Sequence, residues 1–356
     1  MRQGPLTGVR IVEFAGIGPG PFCGMLLADM GADLVRIDRD RNAAGGPFAR
    51  GKRSVILDLK SDAGRSAALA LMAAADAVIE PFRPGVMERL GLGPDEVLAR
   101  NPKIVYGRMT GWGQTGPMAE RAGHDINYIG LSGALSAFGP PEKPMQPLNV
   151  AGDFGGGSLY LAMGLLAAII EARASGKGQV VDCAMVDGSA SLLTSLFPGA
   201  QTGAWGPRGA NFLDGGRAWY GVYACAGGGW VSIGPLEPQF YRALLDVMDL
   251  DPAAYPQNDP ERQPALQQAL AERFASKTRD EWCAALEGLD ICFGPVLSMT
   301  EAPLHPANVA RNVFIQVDGV WEPGPAPRFS RTPSAAGPRA EPGGAQADDV
   351  LSEWGA

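Results

Sequence analysis

Only two histidines, His124 and His305, occur in this 356-residue chain. His124 lies in Ala122-Gly123-His124-Asp125-Ile126-Asn127-Tyr128, which gathers an imidazole, a carboxylate, an amide and a phenol in an apparent loop after a strand. Imidazole takes and returns protons near neutral pH, and loops on a rigid scaffold are where such groups collect. An isolated histidine also fills polar niches, and Asp125 beside it does not decide between the two readings. A second acid, Asp153, stands immediately before the glycine run Gly155-Gly156-Gly157 that opens a long apolar helix. Unpaired N–H groups and the helix dipole favour a carboxylate there, so Asp153 reads as a helix cap or as a functional acid. Asp153-Phe154-Gly155 has the letters of a kinase metal motif, but no Gly-rich loop with a following lysine and no His-Arg-Asp segment accompanies it. Glu237 lies where a hairpin ends and Pro238 begins a helix. It is either a helix-start carboxylate or the acceptor that orients an imidazole through its second N–H. His305, between Leu304 and Pro306, lacks such company and is expected to be exposed.

The elements that position these groups alternate. Val9 to Phe14 reads as a strand, Pro21 to Met30 as a helix and Asp33 to Ile37 as the next strand, which makes a βαβ unit. Ser54 to Asp58, Ala77 to Glu80, Lys103 to Tyr106 and Gln179 to Ala184 read as further strands, with a helix after Ser61 as cap and another from Ser158 to about Ala174. Parallel strands with crossover helices imply an open α/β sheet. The loop Gly16-Ile17-Gly18-Pro19-Gly20-Pro21 follows the first strand, with Asp38 about twenty residues on, as in a dinucleotide fingerprint. Pro21 stands where that motif needs Gly or Ala, so a nicotinamide cofactor is disfavoured, although the helix start can still receive an anion. From Gly199 to Gly216 no period is evident, which predicts a linker or extended arm. Ala218 to Cys225 and Trp230 to Ile233 then read as a hairpin, followed by helices from Pro238, about Pro264 and Thr278, the last with Thr278 and Glu281 at capping-box spacing. Trp321 to Pro342 is crowded with Pro and Gly and is expected to run extended over a surface.

A net charge of −8 argues against nucleic acid or an anionic membrane as partner. Locally the balance reverses: Arg36, Arg39, Arg41, Arg50, Lys52, Arg53, Lys60 and Arg65 face only Asp38, Asp40, Asp58 and Asp62, which favours a phosphate. The cysteines Cys23, Cys183, Cys225, Cys283 and Cys292 form no CxxC pair or His cluster, so neither a metal site nor a disulfide framework is expected, and a reducing cytoplasm fits. Met1-Arg2-Gln3-Gly4-Pro5 lacks an apolar signal, and the apolar run Leu159 to Ile170 falls short of the ~20 residues that span a bilayer, so no membrane insertion is expected.

Taken together, these segments resemble the family III CoA-transferase (CaiB/BaiF) superfamily, and within it the α-methylacyl-CoA racemases. The resemblance runs from Gly8-Val9-Arg10-Ile11-Val12-Glu13 and Gly31 to Arg39, through Arg83-Pro84-Gly85-Val86 and Arg108 to Pro117, to Gly123 to Tyr128, Gly152 to Gly157 and Gly176 to Asp182. It implies a large Rossmann-like CoA-binding domain at 1–200 completed by a return segment at 313–356, a linker at 201–217 and a small α+β domain at 218–312, in an interlocked homodimer of ring-shaped subunits. It also implies that an acyl-CoA thioester is the substrate, that His124 and Asp153 exchange a proton at the α-carbon, and that Glu237 of one subunit orients His124 of the other. No metal or organic cofactor is implied, coenzyme A being part of the substrate. Backbone N–H groups near Asp125 would receive the enolate oxygen, Tyr128 would hydrogen-bond Asp153, and Asn127 belongs to the same supporting group. Matching positions assign CoA to Arg39, Leu57, Asp58, Leu59, Lys60, Pro81, Phe82, Arg83, Arg89 and Gly123. The alternatives are a CoA transferase with Asp153 as covalent nucleophile, and a CoA-binding protein without catalysis.

Overall fold

The computed structural model describes residues 3–40 and 46–355. Arg41 of the basic stretch, and Met1 and Arg2 of the N-terminal segment, lie outside them. The chain divides into two compact units: Met1–Ala134, Pro147–Thr194 and Asn312–Ala356 form the first, Leu135–Gln146 and Ser195–Arg311 the second. The sequence boundaries had placed 135–146 and 195–200 in the large domain and 201–217 in a linker; all three segments group with the second unit.

The first unit is built on six parallel strands, β1 (Arg10–Phe14), β2 (Asp33–Asp38), β3 (Lys52–Ile56), β4 (Ala77–Glu80), β5 (Val105–Thr110) and β6 (Gln179–Ala184), ordered 3-2-1-4-5-6. Nearly continuous apolar runs suit strands buried on both faces. Along β1 the period of two divides the core, with Ile11 packing among Leu34, Ile79 and Leu165, and Val12 among Val35, Val78 and Tyr106. The order reverses between β1 and β4, and the loops leaving their carboxyl ends diverge there into a crevice.

Ser61 caps the Asp62–Ala73 helix by accepting from the Gly64 N–H at 3.0 Å, as its position predicts. The glycine run does not behave as expected. Val150–Leu159, with Asp153 inside it, is π-wound and continues into the Tyr160–Ser175 helix, so Asp153 stands within a helical turn and is no cap. The glycines serve close packing: a Cβ on Gly188, in the Met185–Leu192 helix, would lie 1.9 Å from the Gly156 carbonyl oxygen. The resulting 26-residue span Val150–Ser175 is long and apolar enough to cross a membrane by length and composition, beyond the shorter run read from sequence. Leu161, Leu165 and Ile169 on it are nevertheless buried in the sheet's core.

The basic stretch is mostly spent on internal pairs. Arg36 binds Asp38, Arg50 binds Asp29, Lys52 binds Glu13, Arg53 binds Asp33 and Glu353, and Arg65 binds Asp62. The return segment is more ordered than its composition suggests: it forms an antiparallel hairpin (Phe314–Val317 with Val320–Pro323) and the terminal Ala347–Trp354 helix, whose Val350 and Trp354 enter the core.

In the second unit the predicted hairpin, Gly221–Ala224 with Trp230–Ile233, gains a third antiparallel strand, Phe293–Val296. Three helices cover one face (Pro238–Val247, Gln263–Phe274, Arg279–Leu286), the last opened by the Thr278–Glu281 capping box. The expected arm at 199–216 begins in the short Phe197–Thr202 helix and continues as a series of turns, in which buried Asn211 accepts from the Gly206 N–H at 2.7 Å and donates to Asp214. His305 is half-buried at a helix start, and not exposed as expected.

Candidate active site

Two adjoining depressions open at the carboxyl ends of the parallel strands, both within the first unit. The larger, about 810 Å³, is lined by Phe14 and Ile37 from β1 and β2, by Arg39 and Leu57-Asp58-Leu59-Lys60, and by Phe82 and Arg89. Its apolar walls with cations at the rim suit a flat aromatic group next to phosphates. The smaller cleft, about 220 Å³, lies above β4 and β5 and brings together Pro81, Phe82, Arg83, Gly123, His124, Tyr128 and Asp153 with Met109 and Met185. Phe82 lines both, so the predicted phosphate-side residues and the predicted proton-transfer pair lie in neighbouring depressions with a common wall.

Each side chain is set by its element. His124 is exposed and immediately precedes the Asp125–Leu131 helix, where its backbone N–H is accepted by Asn127 Oδ1 at 3.1 Å. Asn127 thus fixes the helix start. Asp153 is half-buried, with Asn149 Nδ2 donating to its Oδ2 at 3.2 Å from one turn earlier. Gly18, at φ 69° in the loop after β1, approaches so closely that a Cβ there would sit 3.1 Å from the same oxygen. Ser158 Oγ stitches the arrangement, donating to the Pro19 carbonyl at 2.8 Å. Phe154 packs at a tilt against Phe22 and edge-to-face against Phe48, with ring centroids 4.7 and 5.8 Å away. Burial holds the Asp153 carboxyl above the usual carboxylate range; the Asn149 hydrogen bond and the His124 charge oppose that rise and the Asp125 charge adds to it.

One expected contact is replaced. The Tyr128 hydroxyl donates to the Gly123 carbonyl and not to Asp153, and its ring packs edge-on against Trp112 at 4.7 Å. The carbonyl lies on the phenol's own local turn, whereas Asp153 is served by Asn149. Asn149 and Ser158 are the site residues that sequence reasoning missed. The four-residue spacing of Asn149 from Asp153 was the available signal, and it was hidden because the glycine run reads as the opening of a helix that starts only at Ser158. Arg121 and Trp112, also unremarked, line the cleft. Glu237 is exposed at the N-cap of the Pro238–Val247 helix in the second unit, its side chain making no cap hydrogen bond.

The bridge between the two depressions is braced from below. Buried Glu80, ending β4, accepts the Phe82 N–H at 2.9 Å and Arg108 Nε at 2.8 Å, and Arg108 forks to Glu88 at 2.8 and 3.2 Å. Burial pushes the Glu80 carboxyl up to about 7 against the pull of that hydrogen bond and of Arg108.

A doubly wound sheet with an imidazole and a buried-shifted carboxylate in one cleft at its switch point defines an α/β protein equipped for acid–base or nucleophilic chemistry on a phosphate-bearing ligand. The chain belongs to CoA-transferase family III, whose model matches residues 6–347. It is 45% identical to the α-methylacyl-CoA racemase of Mus musculus and 41% identical to that of Homo sapiens, in each case over 98% of this chain and 93% of the relative. Among solved structures, a CaiB/BaiF family protein from Brucella suis superposes with a TM-score of 0.83 at 27% identity, covering 99% of this chain and all of the other.

Proposed function

We propose that the protein is an isomerase that interconverts (2R)- and (2S)-2-methylacyl-CoA thioesters by 1,1-proton transfer at the α-carbon. The observation that carries this reading is the convergence of His124 and Asp153 on one cleft beside a groove suited to CoA. The high similarity to racemases of two mammals supports it. One of the pair removes the α-proton and the other returns one to the opposite face. A carbon acid beside a thioester is weak, so the enolate oxygen needs fixed donors; the backbone N–H groups of Asp125 and Ile126, at the start of the Asp125–Leu131 helix, are assigned to it. Arg39, Lys60 and Arg89 take the phosphates and the Leu57–Leu59 and Phe82 walls the adenine. The chemistry calls for neither metal nor organic cofactor, and five free cysteines suit a reducing cytoplasm.

Incubating either pure epimer in deuterated water is expected to place deuterium at the α-carbon and to yield the other epimer. Absence of both across branched acyl-CoA substrates would sink the reading. Trapping of an Asp153 acyl-enzyme by hydroxylamine, with CoA exchange between two carboxylic acids, would favour the transferase chemistry also found in this family.

The same proposal includes an interlocked homodimer in which Glu237 stabilises the imidazolium of a second subunit's His124. In support, each unit carries exposed apolar residues on otherwise packed elements. Met163 and Ile170 are 60% and 71% exposed on the first unit's core helix, and Val222, Trp230 and Val296 line the open face of the second unit's sheet. Mixed His124→Ala and Glu237→Ala proteins, unfolded and refolded together, are expected to regain activity through hybrid dimers with one intact site. No regain, or a mass of one 37.2 kDa chain by light scattering, would refute the shared site.

A further inference from the structure

Asp125 is buried, and its carboxylate lies against the start of the Val150–Leu159 segment. Its Oδ1 accepts the Asp153 N–H at 2.7 Å, and the Gly152 N–H also donates to the carboxylate. Its Oδ2 is buried with no hydrogen-bond partner among the described residues. A helix start could be satisfied by a neutral acceptor; a half-partnered buried carboxylate is costly and calls for a reason. The two residues of the proton-transfer pair come from different segments, and the hydrogen bond from Asp153 N–H to Asp125 is a direct tie between those segments at the level of the pair itself.

We infer that the Asp125 side chain is a positioning residue: by holding the Asp153 amide it sets the reach between that carboxyl and His124. This rests on the proton-transfer reading and adds to it a role that the sequence had left to the Asp125 backbone. The geometry has an electrostatic corollary. Asp153 is faced by Asn149 from its own segment, by His124 and by Asp125 and Tyr128 of the Asp125–Leu131 helix that His124 precedes, by the Gly18 backbone from the β1 loop, and by Arg83 and Arg121 around the cleft. Asp125 is the negative charge in this set, so it raises the pKa of Asp153.

Asp125→Asn keeps an oxygen acceptor for the Asp153 N–H but removes the charge; Asp125→Ala removes both. For Asp125→Ala we expect kcat for epimerisation to fall by about 10²-fold, the effect of roughly 1 Å of misplacement, with the Kd for CoA within about 3-fold of wild type. Asp125→Asn is expected to recover about half of that loss on a logarithmic scale, while the Asp153 limb of its kcat–pH profile moves to lower pH. A carbon-13 NMR titration of the Asp153 carboxyl reads the same shift without turnover: its pKa falls in Asp125→Asn relative to wild type. Unchanged kcat in Asp125→Ala, or an Asp153 titration unmoved in folded Asp125→Asn, overturns the inference. If wild type exchanges no α-proton while the titration still shifts, the positioning stands and the reaction assigned to the site falls.

Discussion

Asp153→Asn and His124→Ala are each expected to lower kcat for epimerisation by about 10³-fold, a loss of about 4 kcal/mol of transition-state stabilisation. The two variants should not fail alike. If each group serves one face of the α-carbon, losing one leaves the other able to remove the proton that it faces. Each variant then retains residual deuterium wash-in from one epimer and loses it from the other, with opposite preferences. Asparagine preserves the shape of Asp153 beside Gly18 and Asn149, so a folded, CoA-binding but inactive protein is the anticipated background. The measurement is proton NMR of the α-position starting from each pure epimer, with CoA affinity as the control. Equal residual exchange from both epimers in either variant would refute the two-group mechanism. A His124→Ala protein with undiminished CoA exchange between acids, paired with an inert Asp153→Asn, would identify Asp153 as a nucleophile instead.

The parallel sheet was legible because its strands are apolar runs bounded by turn residues, and β6 matches residue for residue. Capping chemistry at Ser61 and Thr278 was equally plain, since it is written in neighbouring side chains. What escaped was decided by packing. Gly155 to Gly157 read as the lead-in to a helix starting at Ser158, yet the backbone approach of the Met185–Leu192 helix makes them a helical contact surface. Charges between Arg36 and Arg65 looked free for a ligand because their acids, Glu13, Asp29 and Asp33, lie on other segments. Of the cations in that stretch, only Arg39 and Lys60 line the groove among the described residues, so composition pointed to a phosphate-bearing ligand for a partly wrong reason. The terminal helix was lost in a Pro- and Gly-rich neighbourhood, although Val350 and Trp354 have the i, i+4 spacing that buries it.

Lys52→Ala is expected to destabilise the protein by about 3–5 kcal/mol, because it leaves the Glu13 carboxylate buried and unpaired. Both side chains are wholly inaccessible, and the ammonium spends its three donors on Glu13 Oε2 at 2.7 Å, Glu13 Oε1 at 2.9 Å and the Pro21 carbonyl at 2.8 Å. Burial pushes the Glu13 carboxyl up and the Lys52 ammonium down, so each stays charged only through the other. The third bond carries the consequence to the cleft. Pro21 belongs to the same Pro19–Asp29 helix whose first carbonyl accepts Ser158 and whose preceding Gly18 abuts Asp153. Replacing both charges by apolar residues of similar volume, Glu13→Leu with Lys52→Met, should therefore restore most of the stability but not the Pro21 tether. Denaturant unfolding of the single and double variants reads the first effect, and epimerisation by the refolded double variant reads the second. A single variant within about 1 kcal/mol of wild type would show that the pair is hydrated or relaxes on mutation. A double variant with full stability and full kcat would show that the helix start needs no anchor from Lys52 to hold Gly18 against the Asp153 carboxylate.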